Sequence, residues 1–537
     1  MPVPRPIRAI YGACGGGGGC QTDPMDHYLP RILRARVYDV ARETPLEPAA
    51  NLSERLDNAI WLKREDLQPV FSFKLRGAYN RMAQLSPEQL SRGVIASSAG
   101  NHAQGVALSA QHLGCRAVIV MPITTPEVKV DAVRRRGGTV VLHGETYDEA
   151  YAEARRRSEA EELCFIHPFD DPEVIAGQGT IGMEILRQLP TPPDAIYVAV
   201  GGGGLIGGIA AYVKSLWPDV EVIGVEPHDA AAMTLSLEAG ERIRLPQVGL
   251  FADGVAVREV GEHTFAIAQE HVDAMVTVGT DEICAAIKDV FEDTRSILEP
   301  AGALAVAGLK ADVIRRGLRG QQLVAVACGA NMNFDRLRFV AERAELGEER
   351  EAMLAVQIPE RAGSLRHLCE QLQNRSLTEF SYRMAAGDTA QIFMGVQVRD
   401  HDDRLALIEQ LQEQGFACQD LSDDELAKVH LRHMVGGRLP QGALEAAGQH
   451  CQELLYRFEF PERPGALMTF VTALHPDWTI SIFHYRNHGA DVGRIVVGVL
   501  VPEADRDAWN DFLRDLGYGS WEETGNPAYA LFLGHRP

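Results

Sequence analysis

The chain has 537 residues, 46% of them hydrophobic, and a formal net charge of −22. That length exceeds one hydrophobic core and predicts two or more domains, and the apolar share excludes global disorder. The acidic balance speaks against a phosphate-backbone partner, so no nucleic acid is expected, and it suits small-molecule chemistry. The nine cysteines are scattered and form no C-x-x-C pair, which predicts neither a disulfide framework nor a zinc site. The start, MPVPRPIRAIYGACGGGGGC, has no apolar signal core, and no segment reaches about 18 consecutive apolar residues. Together these features predict a reduced, cytoplasmic protein with no membrane or metal partner.

Residues 1–25 read as a flexible tail, because the run Gly15–Gly19 has no strand before it and no helical pattern after it. From about 30 to 340, apolar strand-like runs alternate with helical patterns. GVIASSAG (93–100) leads into NHAQGVALSAQHLG, where Ala103, Val106, Ala107, Ala110 and Leu113 keep helical spacing and Gly114 suits the C-cap. RAVIVMP (116–122), GTVVLHG, AIYVAV, EVIGVEP and QLVAVACGAN continue the series of buried-strand patterns. Such alternation implies an α/β domain, with mainly parallel sheets covered by helices on both faces, over 26–340. A charged helical stretch, RLRFVAERAELGEERE (336–351), runs into an expected neck at 341–353.

The remainder repeats itself. FPERPGALMTFVTAL (460–474) echoes IPERAGSLRHLCEQL (358–372), FHYR (483–486) echoes FSYR (380–383), and LGYGS (516–520) echoes QGFAC (414–418). Each copy reads strand, helix, strand, strand, helix, strand, the pattern of a small ferredoxin-like α+β module. The two modules are expected at 354–435 and 454–535.

In the first domain, YVAVGGGGLIGG (197–208) places Gly201, Gly202, Gly203 and Gly204 between a strand and a helix opening at Leu205. Backbone N–H groups at such a turn converge on an anion, and a phosphate is the natural ligand. The plainer reading is a tight turn needed for close packing. No G-K-[S/T] follows, so a Walker A loop is excluded. Gly202, Gly204 and Gly207 do spell G-x-G-x-x-G, and Glu226 ends the next strand, so NAD binding stays an alternative.

Upstream, KREDLQPVFSFKLRGAYN (63–80) places Lys74 next to Phe73 at the start of a helical pattern, with Ser72 as a possible N-cap. A free lysine has a pKa of about 10.4. At a helix N-terminus beside an aromatic ring its charged form is disfavoured, and the neutral amine can condense with an aldehyde. By itself, a lysine in a helix is an ordinary solvated charge.

SFKLRGA, SSAGNHAQG and VGGGGLIGG stand in this order near strand-to-helix junctions. Together they resemble the fold type II pyridoxal 5'-phosphate enzymes, and ACGANMNFDRLRFVAER (327–343) with the duplicated second half resembles the biosynthetic threonine deaminase (threonine ammonia-lyase) family. The resemblance implies that Lys74 carries the cofactor and does the acid–base work, with Phe73 packed beside the ring. It implies that Gly201, Gly202, Gly203, Gly204 and Leu205 cup the phosphate and that Asn101 bonds the ring oxygen. Ser97, Ser98, Ala99, Gly100 and Asn101 then take the substrate carboxylate, and Cys328 stands near the ring nitrogen. A thiol there is a weak hydrogen-bond donor, and a neutral partner favours elimination over transamination. His102 and Glu299 receive no chemical role.

The implied reaction turns L-threonine into 2-oxobutanoate and ammonia at the head of isoleucine biosynthesis, with L-serine as a secondary substrate. The duplicated half resembles ACT-like regulatory modules, implying inhibition by isoleucine, activation by valine and a homotetramer. Stretches 380–396 and 483–499 would face the effectors, although Phe380 and Tyr485 equally suit a core. Two alternatives remain: a serine dehydratase or serine racemase of the same fold, and a non-catalytic amino-acid sensor.

Overall fold

The computed structural model describes residues 28–359, 367–368, 371–372, 375, 377–382, 389–431, 451–461, 469–470, 473–475, 478–486 and 492–532. The expected tail at 1–25 lies outside these residues. So do the side chains of Phe380 and Tyr485.

The first half is built on two sheets. Its strands are β1 (Leu46–Pro48), β2 (Ala59–Arg64), β3 (Val94–Ser97), β4 (Ala117–Met121), β5 (Thr139–Leu142), β6 (Cys164–Phe165), β7 (Ala195–Ala199), β8 (Glu221–Pro227), β9 (Ala274–Val278) and β10 (Gln322–Ala327). One sheet runs in the order β1-β2-β10-β7-β8-β9 and the other β5-β4-β3-β6. Every pairing is parallel except β1 with β2. The antiparallel edge strand has only three residues and leaves no periodicity to read. Central strands such as β4, AVIVM, are buried along their whole length, which is why they read as continuous apolar runs.

Helix boundaries follow local chemistry. Gly114, at φ 68°, ends the helix Asn101–Leu113 in the left-handed conformation that glycine adopts without penalty. Thr146 and Glu149 form a reciprocal capping box for Tyr147–Ala160. Ser72 does not cap Lys74–Met82; Phe73 holds that position without a side-chain bond, and the buried Ser72 hydroxyl has no partner. Ser72 instead forms an isolated bridge to Gly329, so its backbone is committed elsewhere.

The helix carrying Lys74 is fixed by charge and close approach. Arg76 is fully buried and bonds Glu65 at 2.7 Å and Glu184 at 2.6 Å. Lys63, equally buried, bonds Glu184 at 2.6 Å and the Thr44 carbonyl at 2.6 Å. Beside this cluster Gly77 meets Gly177 of the helix Pro172–Gln188; a Cβ on Gly177 would lie 2.7 Å from the Gly77 Cα. Two carboxylates thus hold two cations between β2 and two helices.

The second half forms two four-stranded antiparallel sheets. The first contains β11 (Glu351–Pro359), β12 (Leu377–Tyr382), β13 (Thr389–Gln397) and β14 (Ala417–Asp420), in the order β12-β13-β11-β14. The second contains β15 (Cys451–Pro461), β16 (Thr479–Arg486), β17 (Val492–Pro502) and β18 (Gly519–Glu522), in the matching order β16-β17-β15-β18. Both carry a bulge at the same place, between Leu377 and Glu379 and between Ile480 and Ile482. The duplication read in the sequence therefore extends to a local irregularity, which families retain as a built feature. Met353, Ala355 and Phe393 of the first sheet share one core with Leu455 and Val496 of the second. In the expected neck at 341–353, the helix Arg336–Gly347 occupies the first part, in keeping with the charged helical pattern, and β11 begins at Glu351.

Removing Arg76 would leave Glu65 and Glu184 buried with less compensation. Arg76→Met should therefore cost about 3–5 kcal/mol, read as a lower guanidinium midpoint at unchanged slope.

Candidate active site

The two sheets of the first half direct the carboxyl ends of β3, β7 and β10 toward one crevice, where parallel α/β folds place ligands. β3 delivers Ser97 and runs through Ser98, Ala99 and Gly100 into the helix beginning at Asn101. Gly100 donates its N–H to the Ser98 hydroxyl at 3.2 Å, while the buried Ser97 hydroxyl has no partner.

β7 ends at Ala199, and the glycine turn follows. Gly203, at φ 92°, is the N-cap of the helix Gly204–Leu216. Among the described residues, no acceptor is found for the backbone N–H of Gly201, Gly202 or Gly203. The outer side of the turn is tightly packed. A Cβ on Gly201 would lie 2.9 Å from Val255, and one on Gly202 would run into the Phe169 ring. The packing reason and the anion-binding reason for glycine therefore hold together: a Cβ would clash at each position, and the N–H groups of Gly201, Gly202 and Gly203 have no acceptor among the described residues.

Lys74 opens its helix, and its ammonium lies 3.3 Å from the Pro168 carbonyl and 5.2 Å from the centre of the Phe73 ring. Phe169, the next residue, packs on Gly202 and Gly204. The amine and the glycine turn thus sit on either side of two consecutive residues. Burial pulls the Lys74 pKa down to about 8, opposed by Cys328 and Glu299.

β10 ends at Ala327 and leads into Cys328, a buried thiol that donates to the Ala301 carbonyl at 3.2 Å. Burial pushes its pKa well above the ordinary thiol range, so it stays neutral. Its carbonyl accepts the Phe73 N–H at 3.3 Å, which ties the end of β10 to the base of the Lys74 helix.

One residue that the sequence left without a role stands inside this group. Glu299 opens the helix Pro300–Arg316 as expected of a Glu-Pro pair, but its side chain does not cap that helix. It accepts from the Asn101 amide at 2.5 Å, and Asn101 in turn accepts from Asn331 at 2.7 Å. Nothing in the local pattern LEPAGALA separates a capping carboxylate from one turned inward. His102 is buried with Nε2 2.9 Å from the Ile166 carbonyl, and burial drives its pKa down to about 3, so it is a neutral packing residue. Glu226 accepts two backbone N–H groups, from Met233 and Thr234, and the Thr234 hydroxyl, so both of its oxygens are already engaged in fixing its own loop. No cluster of metal-ligating side chains occurs among the described residues.

A family model described as pyridoxal-phosphate dependent enzyme matches residues 37–329. The chain belongs to the pyridoxal-phosphate dependent enzyme family. A second model, the C-terminal regulatory domain of threonine dehydratase, matches 342–431 and 445–533. The chain is 59% identical to the biosynthetic L-threonine dehydratase IlvA of Burkholderia multivorans, over 94% of this chain and 99% of that one. It is 50% identical to the Escherichia coli protein of the same name, over 94% of this chain and 97% of that one. Among solved structures, the processed form of threonine deaminase isoform 2 from Solanum lycopersicum matches with a TM-score of 0.60 and 54% identity, over 64% of this chain and 94% of that one. Maize serine racemase matches with a TM-score of 0.56 and 30% identity, over 58% of this chain and 96% of that one. The family's cofactor fits these residues: a half-buried amine meets the need for an aldehyde-binding group, and the acceptor-free glycine amides meet the need for a phosphate cup.

Burial, helped by nearby Asp253, raises the Glu299 pKa from 4.5 to about 7. The native state then keeps a proton that the unfolded chain has released, so stability falls as pH rises from about 4.5 to about 7. Glu226, raised from 4.5 to about 7 by its own burial, contributes a decline over the same range, so in Glu299→Gln the decline should become shallower rather than vanish. Melting temperatures recorded between those pH limits check it; equal slopes for the two proteins would mean that the carboxyl is ionised throughout.

Proposed function

We propose that this chain is a pyridoxal-phosphate dependent threonine dehydratase, converting L-threonine to 2-oxobutanoate and ammonia for isoleucine synthesis under feedback control. The observation that carries this reading is the pairing of Lys74 with the acceptor-free glycine turn in a chain whose second half matches a threonine dehydratase regulatory domain. The serine racemase likeness covers 58% of this chain, whereas the biosynthetic dehydratase relative matches 94% of it.

Pyridoxal phosphate supplies, when bound, an aldehyde for amines and an electron-withdrawing ring that acidifies the bound amino acid. Lys74 would hold the aldehyde and Phe73 would pack beside the ring. Gly201, Gly202, Gly203, Gly204 and Leu205 would hold the phosphate. Asn101, oriented by Glu299 and Asn331, would meet the ring oxygen. Cys328 would face the ring nitrogen as a neutral thiol, so no ionised acid strengthens the electron sink there.

The substrate carboxylate goes to the loop Ser97, Ser98, Ala99, Gly100 and Asn101, whose orphaned Ser97 hydroxyl and helix N-terminus suit an anion. Lys74 takes the Cα proton; its lowered pKa leaves a useful fraction of neutral amine near neutral pH. The β-hydroxyl takes up one proton and departs as water, which balances the proton that Lys74 removed from Cα. The released enamine isomerises to an imine, which takes up one water to give 2-oxobutanoate and ammonia, so the atoms of threonine are conserved. L-serine would give pyruvate by the same steps.

The catalytic unit spans 26–340 and the regulatory modules 354–435 and 454–535. The effectors we assign are isoleucine as inhibitor and valine as activator, acting on a cytoplasmic homotetramer. The matched regulatory domain supports an amino-acid effector.

Purified protein should absorb near the visible edge, form 2-oxobutanoate from threonine and lose that activity with isoleucine. Lys74→Ala should lower kcat by at least about a thousandfold. Turnover near wild type in that variant would remove the assignment of Lys74. Serine turnover without any isoleucine response would favour the serine-specific reading.

A further inference from the structure

The two sheets of the first half are separate hydrogen-bonded units, and the sheet β5-β4-β3-β6 carries the loop Ser97–Asn101. The Ser98 N–H bonds the Val120 carbonyl of β4 at 3.2 Å. Ala103, Val106 and Ala107, from the helix that follows the loop, share one core with Val130 and Val133 of the helix Glu127–Arg134. The loop and the Glu127–Arg134 helix are therefore packed into one body.

The larger sheet reaches this body through a long connection. Between the helices Ala232–Ala239 and Glu262–His271 the chain runs through 240–261 with a single short helical turn, Asp253–Val255. Connections beyond about 12–15 residues are uncommon inside a domain and are usually functional. This one is closed on itself. Leu245 donates its N–H to the Arg258 carbonyl at 2.7 Å, and the Arg258 side chain donates to the carbonyls of Leu245 and Pro246 at 3.0 and 2.7 Å. It forms a strap rather than a slack loop.

The strap is charged toward the smaller sheet. Asp253 Oδ2 bonds Lys129 Nζ at 2.6 Å, and the two side chains are only 23% and 14% exposed. Arg244 and Arg258 meet Asp148 of the helix Tyr147–Ala160 at 3.0 and 3.2 Å, but at the surface. Asp253 Oδ1 lies 3.5 Å from Arg336. Burial favours the protonated form of Asp253, yet Lys129 and then Arg336 outweigh it and hold the carboxyl below its ordinary range. One residue on, Gly254 lies beside Ala301, and Val255 packs against Gly201. The strap that grips Lys129 thus also lies on the glycine turn.

We propose that Lys129 and Asp253 are positioning residues for the reaction: their ion pair fastens the strap and sets the Ser97–Asn101 loop against Lys74 and the glycine turn. With the pair made, the carboxylate loop and the amine that takes the Cα proton are held at one separation. With the pair broken, the smaller sheet samples displaced positions, and the substrate binds only the fraction in which the crevice is closed, which raises KM. The inference rests on the catalytic reading of the crevice and adds the contact that holds it shut.

Steady-state kinetics and amide hydrogen exchange of the holoenzyme test it. Lys129→Met should raise the KM for threonine at least about tenfold with a smaller change in kcat. Exchange should quicken at least about tenfold at 97–101 and 240–261, while β7 and the helix Pro172–Gln188 keep wild-type protection. Lys129→Arg keeps the charge and should return both readouts toward wild type. Asp148→Asn breaks only exposed pairs and should leave both within about twofold; an effect as large as that of Lys129→Met would overturn the assignment to Lys129 and Asp253. Wild-type KM and exchange in Lys129→Met would overturn it as well. So would exchange quickened throughout the first half, which marks a general loss of stability. The exchange measurement needs no turnover, so a wild-type protein inactive on threonine would remove the catalytic reading while the exchange still decides the strap.

Discussion

A side chain on Gly202 or Gly204 would run into Phe169, one on Gly201 into Val255, and one on Gly203 into Met233 and Thr264. This close approach of backbone to neighbours is the constraint on which the rest of the site depends. It brings the segment Pro168–Phe169 against the turn, and Pro168 is the residue whose carbonyl meets Lys74. It brings the loop around Val255 against the same turn, and that loop reaches Glu299 and Asp253. Thr264 and the Gly261 amide also bond the Gly202 carbonyl, which fixes the peptide that follows it.

Burial sets the chemistry of what faces that crevice. The Lys74 amine, the Cys328 thiol, the Glu299 carboxyl and the His102 imidazole are all pushed toward their neutral forms. A site so poor in fixed charge favours a reaction that needs one base and a modest electron sink. Arg76 lies two residues along the Lys74 helix and pairs with Glu65 and Glu184, while Asp253 near Glu299 pairs with Lys129, so the nearby charges compensate each other. The Arg76 pairs hold the helix.

Much of this was legible in the sequence wherever a residue type has only one physical use. Four glycines after a buried strand and before a helix could be located to the residue, and the strand ended one residue earlier than read, at Ala199. The duplication was legible because three motifs recur at one spacing, and the shared bulge shows how faithfully the copies kept their backbone. What escaped are residues whose local pattern admits two uses. Glu299 reads as a helix cap and is one by position, while its carboxylate serves Asn101. Ser72 reads as a cap and is not, because its backbone pairs with Gly329, more than two hundred residues away. Long-range partners leave no mark in a local window.

The helix Arg336–Gly347 was read as a charged spacer, but its charges have specific partners at both ends. Arg336, at its start, faces Asp253 and the loop over the glycine turn. Arg343, seven residues on and so two turns along the same face, bonds Glu425 of the first module and lies 3.1 Å from Asp281 of the first half. Asp281 also takes Lys428 at 2.6 Å, and Glu425 stands near Arg494 of the second module. One helix therefore carries charge contacts to the loop against the glycine turn, to the helix Thr280–Thr294 of the first half and to the first module, with the second module one charge away. Any displacement of the modules that moves this helix must break or remake buried charge contacts at both ends. Such contacts favour discrete arrangements over gradual drift, and a discrete choice is what a feedback-controlled enzyme requires.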